Sequence, residues 1–153
     1  MERTLVILKP DALQRQLVGR IITRFEEKGL QIVACKMMQM SRDLAERHYA
    51  VHKGKPFYAS LIEYIISGPV MVVVLQAAGV IEMTRKMMGA TFGFQAEPGT
   101  IRGDFGASRG LNLIHGSDSP QAAQTEIKLF FADTELIDYQ LSGSGWIYGK
   151  AQD

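Results

Sequence analysis

The chain has 153 residues, of which 46% are hydrophobic and 22% charged. That is enough for one compact domain, read here as residues 1–153, and it excludes a disordered, collagen-like or coiled-coil polypeptide. A net charge of +1 without any run of Lys and Arg leaves no basic stripe, so neither nucleic acid nor anionic lipid is an expected partner.

The N-terminal MERTLVILKPD has an apolar stretch too short for a signal peptide or for a membrane span of ~20 residues, and a cytoplasmic protein is expected. Thr4 to Leu8 reads as a strand stopped at Lys9-Pro10-Asp11, because proline cannot continue a ladder. Leu17, Val18, Ile21, Ile22 and Phe25 recur at helical spacing, and Gly29 is placed to end that helix. Leu30 to Met40 predicts a strand with Leu30, Ile32, Ala34, Met38 and Met40 on one face. Cys35 within it is the chain's one cysteine, which forbids an intrachain disulfide, suits a reducing compartment and predicts a small buried side chain. Ser41 resembles a helix N-cap with acidic Asp43 in the first turn.

A further helix is expected from about Pro56 through Phe57, Leu61, Ile62 and Ile65 to Gly68-Pro69. Val70 to Leu75, the most apolar run, predicts a central strand. Val80, Met83, Met87 and Met88 mark a helix closed by Gly89. From Ala90 to Gly110 the periodicity vanishes, and a long irregular loop inside a compact domain commonly carries function. Leu111 to Ile114 predicts a short strand, and Ser119-Pro120 starts a helix whose buried stripe is Ala123, Ile127 and Phe131. This order suits an α+β fold of ferredoxin-like, split βαβ type. A four-stranded antiparallel sheet would carry helices packed on one face, with the long loop before the last strand.

His115 lies at the end of that last strand, before Gly116-Ser117-Asp118-Ser119 and a helix start. A neutral imidazole offers a ring lone pair, so His115 is either a nucleophile or a polar cap on the strand. His48 and His52, four residues apart, have metal-ligand spacing, but no third ligand is evident and a solvated helix face is the simpler expectation. Lys9, Arg85 and Arg102 sit near turn residues. Each is a surface charge unless the fold gathers them, in which case they make a phosphate cradle.

Five segments carry a family resemblance: Lys9-Pro10-Asp11, His52 to Phe57, Ser67-Gly68-Pro69-Val70, Pro98 to Asp104, and Asn112 to Ser119. With them the chain resembles the nucleoside diphosphate kinases over nearly its whole length, from Glu2 to Tyr148. The resemblance implies ping-pong transfer of a γ-phosphoryl group from a nucleoside triphosphate to a diphosphate, through a phosphohistidine on His115. It implies that Glu126 orients the ring, and that Lys9, Tyr49, Arg85, Thr91, Arg102 and Asn112 hold phosphates and sugar. Phe57 would stack on the base, which tolerates any base. Mg²⁺ is implied as a cofactor carried on the nucleotide phosphates, without protein side chains as ligands. A homo-oligomer is implied as well, a hexamer in preference to a tetramer because the tail through Trp146-Ile147-Tyr148 resembles hexameric members.

The alternatives are a kinase-like regulatory protein, disfavoured because His115, Lys9 and Arg102 are all present, and a nucleic-acid-binding module, disfavoured by charge. Two departures stand out. Phe92-Gly93-Phe94 replaces a common Asn-Pro after Thr91, and Leu111 stands where arginine is frequent. The lost proline predicts a loosened loop, which Phe92→Asn with Gly93→Pro would stabilise.

Overall fold

In a computed structural model, residues 1–149 are described. Four strands form one antiparallel sheet: β1 (Glu2–Leu8), β2 (Gln31–Met38), β3 (Val70–Ala77) and β4 (Ile114–Gly116), in the order β2-β3-β1-β4. The helices are α1 (Pro10–Gln14), α2 (Val18–Glu27), α3 (Arg42–His48), α4 (Tyr58–Ile66), α5 (Val80–Met88), α6 (Ile101–Phe105), α7 (Pro120–Phe130) and α8 (Ser144–Tyr148). The expected α+β fold with a four-stranded antiparallel sheet is present. Ser41 and Ser119 cap α3 and α7 by accepting from Leu44 N–H and Ala122 N–H, and Gly29 follows α2 at φ +89°.

The helices cover both faces of the sheet rather than one. Side chains alternate along a strand, and in β1 Val6 and Leu8 pack in one core with Ile21, Phe25 and Val80 of α2 and α5. Leu5 and Ile7 pack in the other with Ala45, Ile62, Ile65 and Ile127 of α3, α4 and α7. The central strands are therefore continuously apolar where helices cover both faces, from Leu5 to Leu8 in β1 and from Val70 to Leu75 in β3, as two-sided burial demands.

A bulge in β2 corrects the period-two expectation there. The register slips between Ile32 and Ala34, so Ile32 packs toward the first core while Ala34 and Met40 belong to the second. One inserted residue swaps the faces. Cys35, expected to be buried, is exposed on this edge strand beside Met37.

Three further boundaries differ. Pro10 stops β1 and also opens α1 at its first position, where its missing N–H has no partner to lose. The stretch 90–110 contains α6, capped by Thr100. The last strand starts at Ile114, not Leu111, because Leu113 takes φ +70° and cannot join a ladder.

Candidate active site

His115 is the middle residue of β4, paired with Ile7 of β1. The backbone ladder fixes its Cα. The next residue, Gly116, lies so close to α5 that an added Cβ would be 2.6 Å from Met88 Sδ. Its ring is fixed from α7, where both Glu126 carboxylate oxygens lie 3.1 Å from His115 Nε2. Ser117 Oγ donates to Glu126 Oε2 at 2.5 Å and accepts from Leu5 N–H at 3.2 Å, tying the carboxylate to β1. Burial pushes the Glu126 carboxyl up, but the His115 and Ser117 hydrogen bonds and the nearby imidazole charges outweigh it and hold the group below its usual value. A carboxylate accepts from Nε2–H, and a neutral ring with its proton there has its one in-plane lone pair on Nδ1.

A buried polar cluster adjoins the start of β4. Asp11, at the start of α1, accepts from Tyr64 O–H and, at 3.1 Å, from Leu113 N–H. Lys9 N–H donates to Leu113 carbonyl at 2.8 Å. These bonds hold Leu113 in its left-handed conformation, a cost of about 1–3 kcal/mol that the surroundings must offset. The turn places Asn112 between Lys9 and the loop: its Oδ1 accepts from Lys9 Nζ at 2.7 Å, and its Nδ2 donates to Thr91 carbonyl at 3.1 Å. Lys9 is buried, and desolvation with Arg102 nearby lowers its pKa to about 7.

Arg102 on α6 is also buried. Its Nε donates to Asn112 carbonyl at 3.1 Å, and its two terminal nitrogens donate to Gly89 carbonyl at 3.1 Å and Ile114 carbonyl at 2.6 Å. Burial, then the charge of Arg85, lowers its pKa to about 10. Arg85 is exposed at the end of α5, and Thr91 is exposed in the loop beyond it. Tyr49 is buried with its ring centroid 6.5 Å from that of His115, and its hydroxyl has no partner among the described residues. Phe57 is half exposed, 5.4 Å from the His52 ring.

The fold thus gathers Lys9, Arg102, Asn112, Glu126 and Tyr49 around His115, with Arg85, Thr91 and Phe57 at the margin. Sequence reasoning missed Asp11 and Ser117 as supports, although both stand inside quoted motifs. It also misplaced His48. Instead of facing solvent, His48 is buried with its ring centroid 4.7 Å from that of His115. The helix ends at His48 and a 3₁₀ turn carries Ala50–His52, so His52 leaves the face that its spacing suggested. Ala45, His48 and Tyr49 share the i, i+3, i+4 stripe that would have revealed this burial.

An imidazole lone pair beside buried cations suits the transfer of an anionic group. In phosphoryl transfer, positioning and electrostatics supply most of the catalysis. Site and fold together define an α+β phosphotransferase. The family described as nucleoside diphosphate kinase matches residues 2–136. A nucleoside diphosphate kinase of Roseiflexus castenholzii is 58% identical over 148 residues, covering 97% of this chain and 99% of the relative. One of Archaeoglobus fulgidus is 51% identical, covering 97% and 98%. The solved structure of a halophilic nucleoside diphosphate kinase from Halobacterium salinarum in complex with CDP superposes with a TM-score of 0.94 at 49% identity, covering 96% of this chain and 98% of that one.

The chain belongs to the nucleoside diphosphate kinase family. It is a nucleotide-binding phosphotransferase that moves a phosphoryl group from a nucleoside triphosphate to a nucleoside diphosphate. Nucleotide kinases work with a divalent cation. The nearest carboxylates make a poor cage for a hard one, because Asp11 is engaged by Tyr64 and Leu113, and Glu126 by His115 and Ser117. No helix among the described residues is long and apolar enough to cross a membrane.

Proposed function

We propose that transfer proceeds in two halves through His115 Nδ1. In the first, the lone pair attacks the γ-phosphorus, the bond to the bridging oxygen breaks, and the nucleoside diphosphate leaves with that electron pair. In the second, a terminal β-phosphate oxygen of the acceptor attacks the phosphorus, the Nδ1–P bond breaks, and its electron pair returns to the ring, which is neutral again. Glu126 keeps the Nε2 proton in place and balances the charge of the phosphorylated ring.

Lys9, Arg85 and Arg102 supply positive potential to the equatorial oxygens, while Thr91 and Asn112 supply neutral hydrogen bonds to phosphates and sugar. The unpartnered Tyr49 hydroxyl is a donor of the same kind. The half-exposed ring of Phe57 supports its reading as the base platform, indifferent to base identity. Mg²⁺ enters as part of the substrate, held on its phosphate oxygens, which are the hard ligands it prefers. The CDP in the Halobacterium relative supports a nucleoside diphosphate as the occupant. The working form is a cytoplasmic homo-oligomer of one kinase domain over residues 1–153, a hexamer rather than a tetramer. The wide exposure of Trp146 in the tail supports a surface that a second copy covers.

The observation that carries the mechanism is the Glu126–His115 hydrogen bond, which leaves Nδ1 with the lone pair. Incubation with γ-labelled ATP should give one labelled phosphoryl group per chain, acid-labile, base-stable and discharged by added diphosphate. Undiminished labelling of His115→Ala would overturn it.

A further inference from the structure

We propose that His48, His115 and Glu126 form a binding site for a borderline transition-metal dication, zinc being the type, and that its occupancy blocks the phosphoryl relay. One ligand atom from each residue lies within 4.8 Å of the other two. Two imidazoles and a carboxylate, with a fourth position for water, form a recurrent three-ligand zinc set. Ligand bonds of ~2.0–2.2 Å place such atoms roughly 3.4 Å apart, so rotations of about an ångström close the site. Mg²⁺ prefers six oxygens and does not compete for two nitrogens.

The second observation is His48 itself. It is only 9% exposed, and neither ring nitrogen has a hydrogen-bond partner among the described residues. Buried polar atoms are nearly always satisfied, so an orphaned imidazole beside the nucleophile has a ring nitrogen free to coordinate. Lys9 lies close enough to repel a cation, and the larger effect of the Glu126 charge offsets it.

Binding and inhibition rest on different grounds. Binding follows from the geometry of three side chains. Inhibition rests on the phosphohistidine reading: a neutral imidazole has one in-plane lone pair, and a metal at either His115 nitrogen takes it.

The test uses metal-stripped native protein without nucleotide. Co²⁺ should bind at one ion per chain with the visible absorption of a tetrahedral nitrogen-oxygen site, and Zn²⁺ should displace it where equal Mg²⁺ does not. The chain has three histidines, so nitrogen-15 spectra of the unmodified protein assign the ligands directly. Zn²⁺ should move the ring signals of His48 and His115 and leave those of His52. His48→Gln and Glu126→Gln should each weaken Co²⁺ binding by at least ~10–100-fold, while His52→Gln should not. No saturable binding at millimolar Co²⁺, unmoved His48 signals, or binding lost only in His52→Gln would overturn the site. Phosphoenzyme should refuse Co²⁺. Metal binding by a chain that never forms phosphoenzyme would sink the relay and leave the metal site standing.

Discussion

β4 and α7 hold His115 and Glu126 by backbone regularity, whereas the segment from Gly89 to Asn112 is held by side chains, the buried Arg102 guanidinium within it and Arg15 and Arg24 from outside. In the first region a ladder to β1 sets the histidine, and a serine-capped helix sets the acid. In the second, Arg102 gathers the carbonyls of Gly89, Asn112 and Ile114, and Gly93 packs directly against the Gly106 backbone. The difference teaches that a single residue can carry both loop and charge. Three of the five Arg102 N–H donors are spent on the protein, so its role toward phosphate is largely that of a fixed positive potential.

The largest expected effect tests that double role. Arg102→Ala strips three carbonyls of their donor at about 1–3 kcal/mol each and removes charge worth about 10²–10³ in rate. Urea melts and turnover should fall together, and Arg102→Lys should rescue neither, because an ammonium cannot reproduce the fork. A stable, slow Arg102→Ala protein would show that the Arg15, Arg24 and Lys9 contacts suffice to hold the loop.

Lys9→Met sharpens the contrast, since among the described residues the Lys9 ammonium hydrogen-bonds only the Asn112 side chain and otherwise lies over the Tyr64 ring. Turnover should fall by about 10²–10³, while stability at neutral pH should rise rather than fall, because the variant no longer buries an ammonium. The native pKa of about 7 lies below the ordinary 10.5. The unfolded chain therefore binds more protons between those values, and native stability should rise with pH across that window. Phosphates restore the ammonium, so nucleotide binding near pH 8 should take up a proton, measurable by calorimetry in buffers of differing ionisation enthalpy. Uptake unchanged in Lys9→Met would assign that proton elsewhere.

The smallest effect reverses an expectation from sequence. The loop sequence predicts that Phe92→Asn with Gly93→Pro stiffens the loop and stabilises it. However, a Cβ at Gly93 would sit 2.3 Å from Gly106 carbonyl oxygen, and backbone cannot yield as a side-chain tip can. Phe92→Asn with Gly93→Pro should lower the melting midpoint, by about 1–3 kcal/mol of overpacking. A raised midpoint would mean that the loop moves freely enough to relieve the clash. The two phenylalanines already stack on each other, with Arg109 over Phe94.

The amino-acid sequence alone determined whatever depends on near neighbours: apolar β1 and β3, the Ser41 and Ser119 caps, the Gly29 stop, and the motif around His115. The resemblance carried by five short segments determined the family. Tertiary structure decided the rest. The bulge in β2 exposed Cys35, because register is set by the partner strand β3 and not by the run itself. Leu113 left the strand because Asp11, about a hundred residues earlier, holds its N–H. His48 turned inward because α3 ends there and its stripe packs on a sheet whose position no spacing within the helix reveals. Local pattern records propensity and periodicity. Which distant groups meet, and which buried polar atoms are left without a partner, is set only when the chain closes on itself.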